Sequence, residues 1–484
     1  MNLKFLGRLL IATLLGSFPA AAWAQGLLEF EYPPIDYHRQ PAANRITQLQ
    51  EKILAGGVQL EFHRRRGYLD AFLEQLDISE TTQALVFSKS SVQLRRISPA
   101  RPRAMYFDEN IYVAWVQGGD VLEIIVSDAQ LGSVFYTLAQ REVPLPRFQR
   151  DRGQCLQCHA NRRTKRVPGP VVRSLFTGSD GQPIFNFGNF VSDHTSPLHE
   201  RWGGYYVTGI HGTELHMGNM LADRRQPYES LDYESGANVS DLSWLVNTRP
   251  YLTRHSDLVA LMVLEHQTQM QNLITRARYE EIRGKHYDTA FRSDRPLPSD
   301  YTRRRVTRAA EQLLAYMLFV NEYPLRSTVS GTSGFSEQFS AKGPHDRKRR
   351  SLYQLDLKTR LFKYPLSYMV YTEAFRQLPP MTGSHLARRL GEVLTAQSTE
   401  DEFAHLRVPS ARLVSKVNAS FEKLVQPYLL LLLHVTFGSY PWGSSSLTLR
   451  ELEALTGFRT PRLFSLNLTG ITGEEATRPH QGSQ

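Results

Sequence analysis

The chain has 484 residues, of which 41% are hydrophobic and 21% are charged, with 57 Lys and Arg against 47 Asp and Glu. These proportions are typical of a globular protein of about two or three domains and exclude a generally disordered chain. The only two cysteines are Cys155 and Cys158, which excludes both a disulfide-stapled scaffold and a zinc site of four thiolates.

The N-terminus has the pattern of a secretory signal peptide. A short basic stretch precedes an apolar run at residues 9–18, and the small residues Ala22 and Ala24 follow it. We expect cleavage after Ala24, because signal peptidase accepts small residues at these two positions. An uncleaved membrane anchor is disfavoured, because the apolar run is shorter than the roughly 20 residues that span a bilayer. The sequence therefore predicts an exported protein, periplasmic in a Gram-negative bacterium, with a signal peptide at residues 1–24.

The next part of the chain changes from a helical to a β pattern. Apolar residues recur at helical spacing over residues 46–76, which predicts a helix there. Short runs of β-branched and aromatic residues follow, separated by turn-forming residues, and they predict antiparallel hairpins. The predicted strands are 104–107, 111–116 and 121–126, while 133–138 continues the sheet or begins a helix.

Both cysteines belong to the motif C-x-x-C-H, formed by residues 155–159. Two thiols at this spacing can each add to one vinyl group of a haem, and the imidazole of His159 then lies under the iron as an axial ligand. The alternatives are a redox dithiol and half of a zinc site. A redox dithiol requires a strand followed by a helix at the first cysteine, whereas residues 150–154 read as a turn. A zinc site would need a second ligand pair close by. The motif therefore predicts one covalently attached haem c, held by Cys155, Cys158 and His159.

The β pattern resumes after the motif, with a hairpin predicted at 171–176 and 183–191 and a strand at 205–209. The segment between residues 193 and 220 is rich in residues that could bind the iron from its other side. We rank His216 and His211 first, since a strand ending in a Gly-rich turn could present them to the haem. The other candidates are His194, His199, Met217, Met220 and, on a later helix, His266.

The chain beyond residue 226 is predicted to be mainly helical. Its clearest helix is 257–278, for which Ser256 is the predicted N-cap. Further helices are predicted at 304–319, 385–396 and 415–434, and a Gly- and Ser-rich loop at 328–350.

Four basic residues closely follow the haem-binding histidine. They are Arg162, Arg163, Lys165 and Arg166. We favour a solvated basic loop. The alternatives are that one or two of these residues pair with haem propionates, or that they dock an acidic redox partner.

The residues around the motif resemble two groups of proteins. Gly169-Pro170 and a later methionine are similar to class I cytochromes c, although the β pattern between them departs from that all-helical family. The chain more closely resembles large exported bacterial cytochrome c domain-containing proteins. The resembling stretches are 154–159, 193–219, 261–275 and 331–371. This resemblance implies haem binding and no particular activity. The β-rich frame is also similar to exported sensor domains in which a PAS-like sheet holds a c-type haem.

These observations predict an α+β protein in which a PAS-like antiparallel-sheet haem c domain is followed by a mainly helical domain. The predicted division is a signal peptide at 1–24, the haem domain at 25–225, the helical domain at 226–465 and a disordered tail at 466–484. We expect no nucleic-acid partner, since the net charge of +10 is spread thinly, and no stable membrane span after signal cleavage.

Electron transfer to an unknown redox partner protein is the leading predicted function. The alternatives are a periplasmic redox or gas sensor with an open sixth position, and a haem c-dependent oxidoreductase such as a peroxidase. No catalytic residue is predicted, because no acid–base pair stands out in the sequence. Whether the protein is an enzyme is left open, and an electron carrier is favoured over a catalyst.

Overall fold

The computed structural model describes residues 29–227, 230–291, 298–346, 348–394 and 400–406. All of them belong to one compact unit, which spans Met1–Tyr428. The signal peptide predicted at 1–24, the helix predicted at 415–434 and the tail predicted at 466–484 lie outside the described residues. Within those residues the chain contains an antiparallel sheet and several helices, which confirms the predicted α+β class.

A seven-stranded antiparallel sheet forms the centre of the described chain, in the order β6-β5-β4-β3-β2-β1-β9. Its strands are β1 (Ala84–Val86), β2 (Arg103–Phe107), β3 (Ile111–Trp115), β4 (Val121–Asp128), β5 (Gly132–Ala139), β6 (Phe148–Arg150) and β9 (Tyr205–Tyr206). Strands β7 (Arg173–Leu175) and β8 (Asn189–Val191) pair separately as a small hairpin. The predicted hairpins are therefore confirmed, and residues 133–138 belong to the sheet.

Eight α-helices occur in the described residues. They are α1 (Arg45–Leu54), α2 (Leu69–Gln75), α3 (Leu156–His159), α4 (Leu258–Phe291), α5 (Asp300–Met317), α6 (Phe335–Ala341), α7 (Glu373–Arg376) and α8 (Pro380–Leu394). The prediction of one helix over 46–76 is wrong, because the chain leaves α1 through Gly56, which has a φ of +72°. The loop predicted at 328–350 contains α6.

The capping residue of α4 also differs from the prediction. The carboxylate of Asp257 accepts hydrogen bonds from the backbone amides of Val259 and Ala260, at 2.8 and 3.2 Å. The predicted cap, Ser256, instead accepts a hydrogen bond from the amide of Leu85 in β1 at 2.9 Å. Asp257 therefore caps the helix, and Ser256 ties its start to the sheet.

A hydrophobic core lies on each side of the sheet, because strand side chains alternate between the two faces. The first core joins one face to α1 and α2, through residues such as Leu49 and Phe72. The second joins the other face to α4 and α5, and includes Phe107 and Tyr112. Residues on both sides of position 225 therefore share one core, and the domain division proposed there stays a prediction.

The long helix α4 crosses the turn end of the second face. Gln267 donates a hydrogen bond to the carbonyl of Asp108 at 2.8 Å, and Gln271 donates one to the carbonyl of Glu109 at 2.8 Å. No helix in the described ranges is long and apolar enough to cross a membrane.

Candidate functional site

The C-x-x-C-H motif lies directly after β6, the edge strand of the sheet. A bend leads from β6 into α3, and the carboxylate of Asp151 holds it by accepting hydrogen bonds from the amides of Gly153 and Cys155, at 2.9 and 3.0 Å. The single turn of α3 then places Cys155, Cys158 and His159 together, since the amides of Cys158 and His159 both donate to the carbonyl of Cys155. Of the turn predicted at 150–154, residues 151–154 form the bend, whereas Arg150 belongs to β6.

The imidazole of His159 is fixed in one orientation by Gly169. Its Nδ1 atom donates a hydrogen bond to the Gly169 carbonyl at 2.9 Å, and the Gly169 amide donates to the His159 carbonyl at 2.9 Å. The ring also contacts Phe135 of β5, with centroids 5.2 Å apart. Nε2 makes no hydrogen bond within the described residues, so its lone pair is available. A metal-binding histidine usually has this arrangement, in which the nitrogen that is not bound to the metal donates to a carbonyl.

Burial lowers the pKa of His159, and the positive charges of Arg103 and Arg173 lower it further. The imidazole is therefore neutral at neutral pH, which is the form that binds a metal.

Both thiols are free in the structure, and Cys158 is exposed. A short helix does begin directly after Cys155, as the redox-dithiol alternative requires. However, burial raises the pKa of the Cys155 thiol to about 12, and the negative charge of Asp151 contributes to this rise. An attacking thiol in a redox dithiol has a lowered pKa instead. The electrostatics of the site therefore disfavour the redox-dithiol interpretation.

His159 lies over one particular face of the sheet, which we call the His159 face. It is the face that carries Phe135 and, on neighbouring strands, Ile125, Glu123, Met105 and Arg103. Ile125 is paired with Phe135, and Glu123 is two residues from Ile125 along β4. Met105 and Ile125 are only partly buried. Next to the imidazole the sheet therefore offers apolar surface, which suits the face of a porphyrin.

Two arginines border this face, and sequence reasoning missed both. They are Arg103 of β2 and Arg173 of β7, and the Nε atom of each is buried without a hydrogen-bond partner among the described residues. Both strands read as ordinary β segments, so no local signal distinguished these arginines from solvent-facing ones. The predicted basic residues Arg162, Arg163, Lys165 and Arg166 are all exposed.

The two histidines ranked first for the sixth position lie together, with ring centroids 4.7 Å apart. Both ring nitrogens of His211 are engaged, since Nδ1 donates to the Glu214 carbonyl at 2.6 Å and Nε2 accepts from the Asn238 amide at 3.0 Å. Nδ1 of His216 accepts from the Gly218 amide at 3.0 Å, which leaves its Nε2 protonated in the neutral ring. Neither ring is among the ring or hydrogen-bond contacts of His159. Their role as sixth ligands stays a prediction.

Of the other candidates, His194, His266, Met217 and Met220 are buried, whereas His199 is exposed. His194 and His266 lie with their Nδ1 atoms 2.8 Å apart. The sulfur of Met217 accepts a hydrogen bond from the Ser174 hydroxyl at 3.5 Å. No group of three or more His, Cys, Asp or Glu residues in the described ranges could hold a metal ion. A haem iron needs only one or two protein ligands, so the His159 site is compatible with that finding.

A buried ion pair lies on the α4 side of this region. Arg201 and Glu265 are 3.1 Å apart, and their side chains are 3% and 0% exposed. Burial raises the pKa of Glu265 to about 8, although the charge of Arg201 opposes the rise. The guanidinium also donates to the carbonyls of His194 and Ser196, so it fixes that loop against α4.

In comparisons with known proteins, no family model matches the chain, and no curated protein or solved structure matches it. The residues of the site therefore carry the functional argument alone.

Proposed function

We propose that this chain is an exported c-type haem protein that transfers single electrons, and that it belongs with the exported cytochrome c domain-containing proteins that it resembles. In this proposal Cys155 and Cys158 tether one haem c, and His159 is the axial ligand. When bound, the haem would supply the one-electron redox chemistry. The PAS-like character of the sheet and the periplasmic location are parts of the same proposal.

The observation that carries the proposal is the state of His159. Its Nδ1 donates to the Gly169 carbonyl and its Nε2 is free. Two unpaired thiols precede it, that of Cys155 one helical turn before and that of Cys158 directly before. Thioether formation needs free thiols, and iron ligation needs a neutral imidazole with a fixed tautomer. The partly buried apolar residues of the His159 face would cover the porphyrin on one side and exclude water.

The residues of this chain have three tasks in electron transfer. The thioethers would keep the cofactor from being lost outside the cell, and the hydrogen bond to Gly169 would hold the ligating imidazole in one orientation. The Gly169 carbonyl makes the imidazole a stronger electron donor and thereby lowers the reduction potential.

The test is expression of the full chain in cells that can attach haem covalently. We expect the denatured protein to show a mass gain of one haem and the reduced spectrum to show the bands of a c-type haem. A Cys155→Ser, Cys158→Ser double variant is the matched control and should show neither. A colourless wild-type protein without the mass gain would refute the proposal.

A second function, sensing or binding of a small ligand, is favoured by the hydrogen bonds of His211. A ring with both nitrogens engaged is a poor ligand unless both bonds break, which favours a sixth position that is open or easily vacated. Carbon monoxide distinguishes the two functions. An unchanged six-coordinate spectrum in both redox states favours electron transfer, and rapid binding to the reduced protein favours sensing or catalysis. Peroxide turnover with a dye donor would then separate catalysis from sensing.

A further inference from the structure

Arg173 is a cation without an anion. Its Nη2 donates to the Asn189 side-chain oxygen at 3.0 Å, and its guanidinium stands over the Phe185 ring at 5.9 Å. Nε is buried and unpartnered, and no carboxylate lies within ion-pair distance in the described part of the chain. Burial lowers the pKa of Arg173, which reflects the cost of holding its charge away from water. A guanidinium in such a place normally has an anionic partner.

Arg103 is only slightly better paired. Its side chain is 12% exposed, and its one carboxylate contact is Glu123 at 3.4 Å. That carboxylate is shared, because it also accepts hydrogen bonds from Ser91 and Gln93. The Nε atom of Arg103 is buried without a partner. Arg103 therefore has unused capacity to bind an anion.

The two guanidinium groups lie in the neighbourhood of His159. Arg103 belongs to the face that carries Phe135, which the His159 ring contacts. Arg173 follows Gly169, the hydrogen-bond partner of His159, by four residues. The two cations therefore border the surface over which His159 lies.

We propose that Arg103 and Arg173 bind the two propionate carboxylates of the attached porphyrin, an inference that rests on the proposed haem attachment. The arginine fork presents two N–H groups that match the two oxygens of a carboxylate, and both arginines have an N–H group to spare. The porphyrin carries two carboxylates, and the site provides two incompletely paired cations. This assignment replaces the exposed residues 162–166 as the partners of the propionates.

The experiment compares Arg103→Gln and Arg173→Gln with wild type, using Arg162→Gln in the exposed loop as the matched control. Intact mass first establishes that each protein carries one haem. Resonance Raman spectra then follow the propionate bending modes, and redox titration follows the potential. We expect both test variants to shift the bending modes and to move the potential to more negative values, because a lost cation near the iron destabilises the reduced state. The control should match wild type in both measurements.

The outcomes separate this inference from the proposed function. Absence of the mass gain in wild type would refute haem attachment itself. A normal mass gain with unchanged bending modes in both Gln variants would overturn the propionate assignment alone. Unchanged bending modes together with a potential that depends on added phosphate would show that a free anion occupies the arginines, and would overturn it too.

If a Gln variant does not acquire haem, lysine variants still test the propionate assignment. Arg103→Lys and Arg173→Lys retain the charge and lose the fork, so we expect shifted bending modes with a smaller change of potential. Lysine variants that match wild type in the bending modes would also contradict the assignment.

Discussion

The imidazoles of His194 and His266 meet through their Nδ1 atoms, which lie 2.8 Å apart in the core. One Nδ1 has to donate and the other to accept, so the contact holds a single proton. Nε2 of His266 is bonded to the Ser367 hydroxyl at 2.7 Å, and the ring of His194 stacks on Tyr316 with centroids 4.0 Å apart. The environment therefore accommodates neutral rings and opposes further protonation.

Stability should consequently fall as the solution becomes acidic. Burial lowers the pKa of His266 to about 3, and burial, followed by the charges of His266 and Arg201, lowers that of His194. In the unfolded chain both titrate near 6.5, so below this pH the unfolded state binds more protons. The contribution is fully present above about pH 6.5 and is lost as the pH falls towards 3, at about 1.4 kcal/mol per pH unit for each histidine.

Urea unfolding between about pH 4.5 and 7 measures this dependence. A His194→Gln, His266→Gln double variant should have a shallower slope than wild type. Some slope should remain, because burial also lowers the pKa of His216 to about 3. Equal slopes in the two proteins would contradict the role given to the pair.

Gly169 should not tolerate a side chain. A Cβ atom there would lie 1.7 Å from Oδ1 of Asn272, so Gly169→Ala has to displace the segment that holds His159 or the Asn272 side chain, which would then lose its hydrogen bond to the Pro170 carbonyl. We expect a loss of about 1–3 kcal/mol in the free energy of unfolding and a lower yield of attached haem. Asn272→Ala in the same chain should restore part of both. The matched control is Gly391→Ala in α8, where a Cβ meets nothing within 4 Å and should add about 0.5–1 kcal/mol. Equal effects of the two glycine substitutions would count against steric displacement.

Asp257 should contribute more to the free energy of unfolding than an ordinary helix-capping residue does. Besides the first amides of α4, its carboxylate accepts hydrogen bonds from the amides of Thr332 and Ser333, at 2.7 and 2.9 Å. Asp257→Ala should therefore exceed the roughly 1 kcal/mol of an ordinary cap and cost about 2–4 kcal/mol, as measured by urea unfolding. Ser256→Ala, which removes one hydrogen bond to the sheet, should cost about 1 kcal/mol. The assignment of the cap would be wrong if Ser256→Ala were the more damaging change.

The ion pair of Arg201 and Glu265 should be costly to break from one side. At pH values above the pKa of about 8 of Glu265, Arg201→Met leaves a fully buried carboxylate without its partner, and we expect a loss of about 3–5 kcal/mol in thermal or urea unfolding there. Adding Glu265→Leu should recover part of this loss. The exposed pair of Arg96 and Asp120 provides the control, since Arg96→Met should change stability by less than about 1 kcal/mol. Similar losses in the two single variants would show that burial of the pair is unimportant.

The sequence predicted the sheet well, because its strands follow local signals. Alternating residues and turn-forming segments between residues 104 and 138 correspond closely to β2–β5. The helix predicted at 46–76 failed at Gly56, where a left-handed conformation ends α1. The choice of cap failed for a related reason. Ser256 and Asp257 are both good capping residues, and the tertiary contact of Ser256 with β1 decided between them.

The site was predictable only as far as its motif. The spacing of residues 155–159 is enough to predict haem attachment. The hydrogen bond from His159 to Gly169, in contrast, depends on the path that the chain takes after the motif. Arg103 and Arg173 are 70 positions apart and belong to two different sheets, so a single sequence could not join them. The basic residues Arg162, Arg163, Lys165 and Arg166 are exposed, as the favoured interpretation of a solvated loop predicted.

The Asn272 side chain donates a hydrogen bond to the Pro170 carbonyl at 2.9 Å, which joins residues that are 102 positions apart. If the chain is threaded N-terminus first through an export channel, as the proposed export implies, Cys155 and Cys158 emerge before α4. The loop that holds His159 would lack its hydrogen bond to Asn272 during that interval. Haem attachment would then have time to take place before α4 packs against that loop.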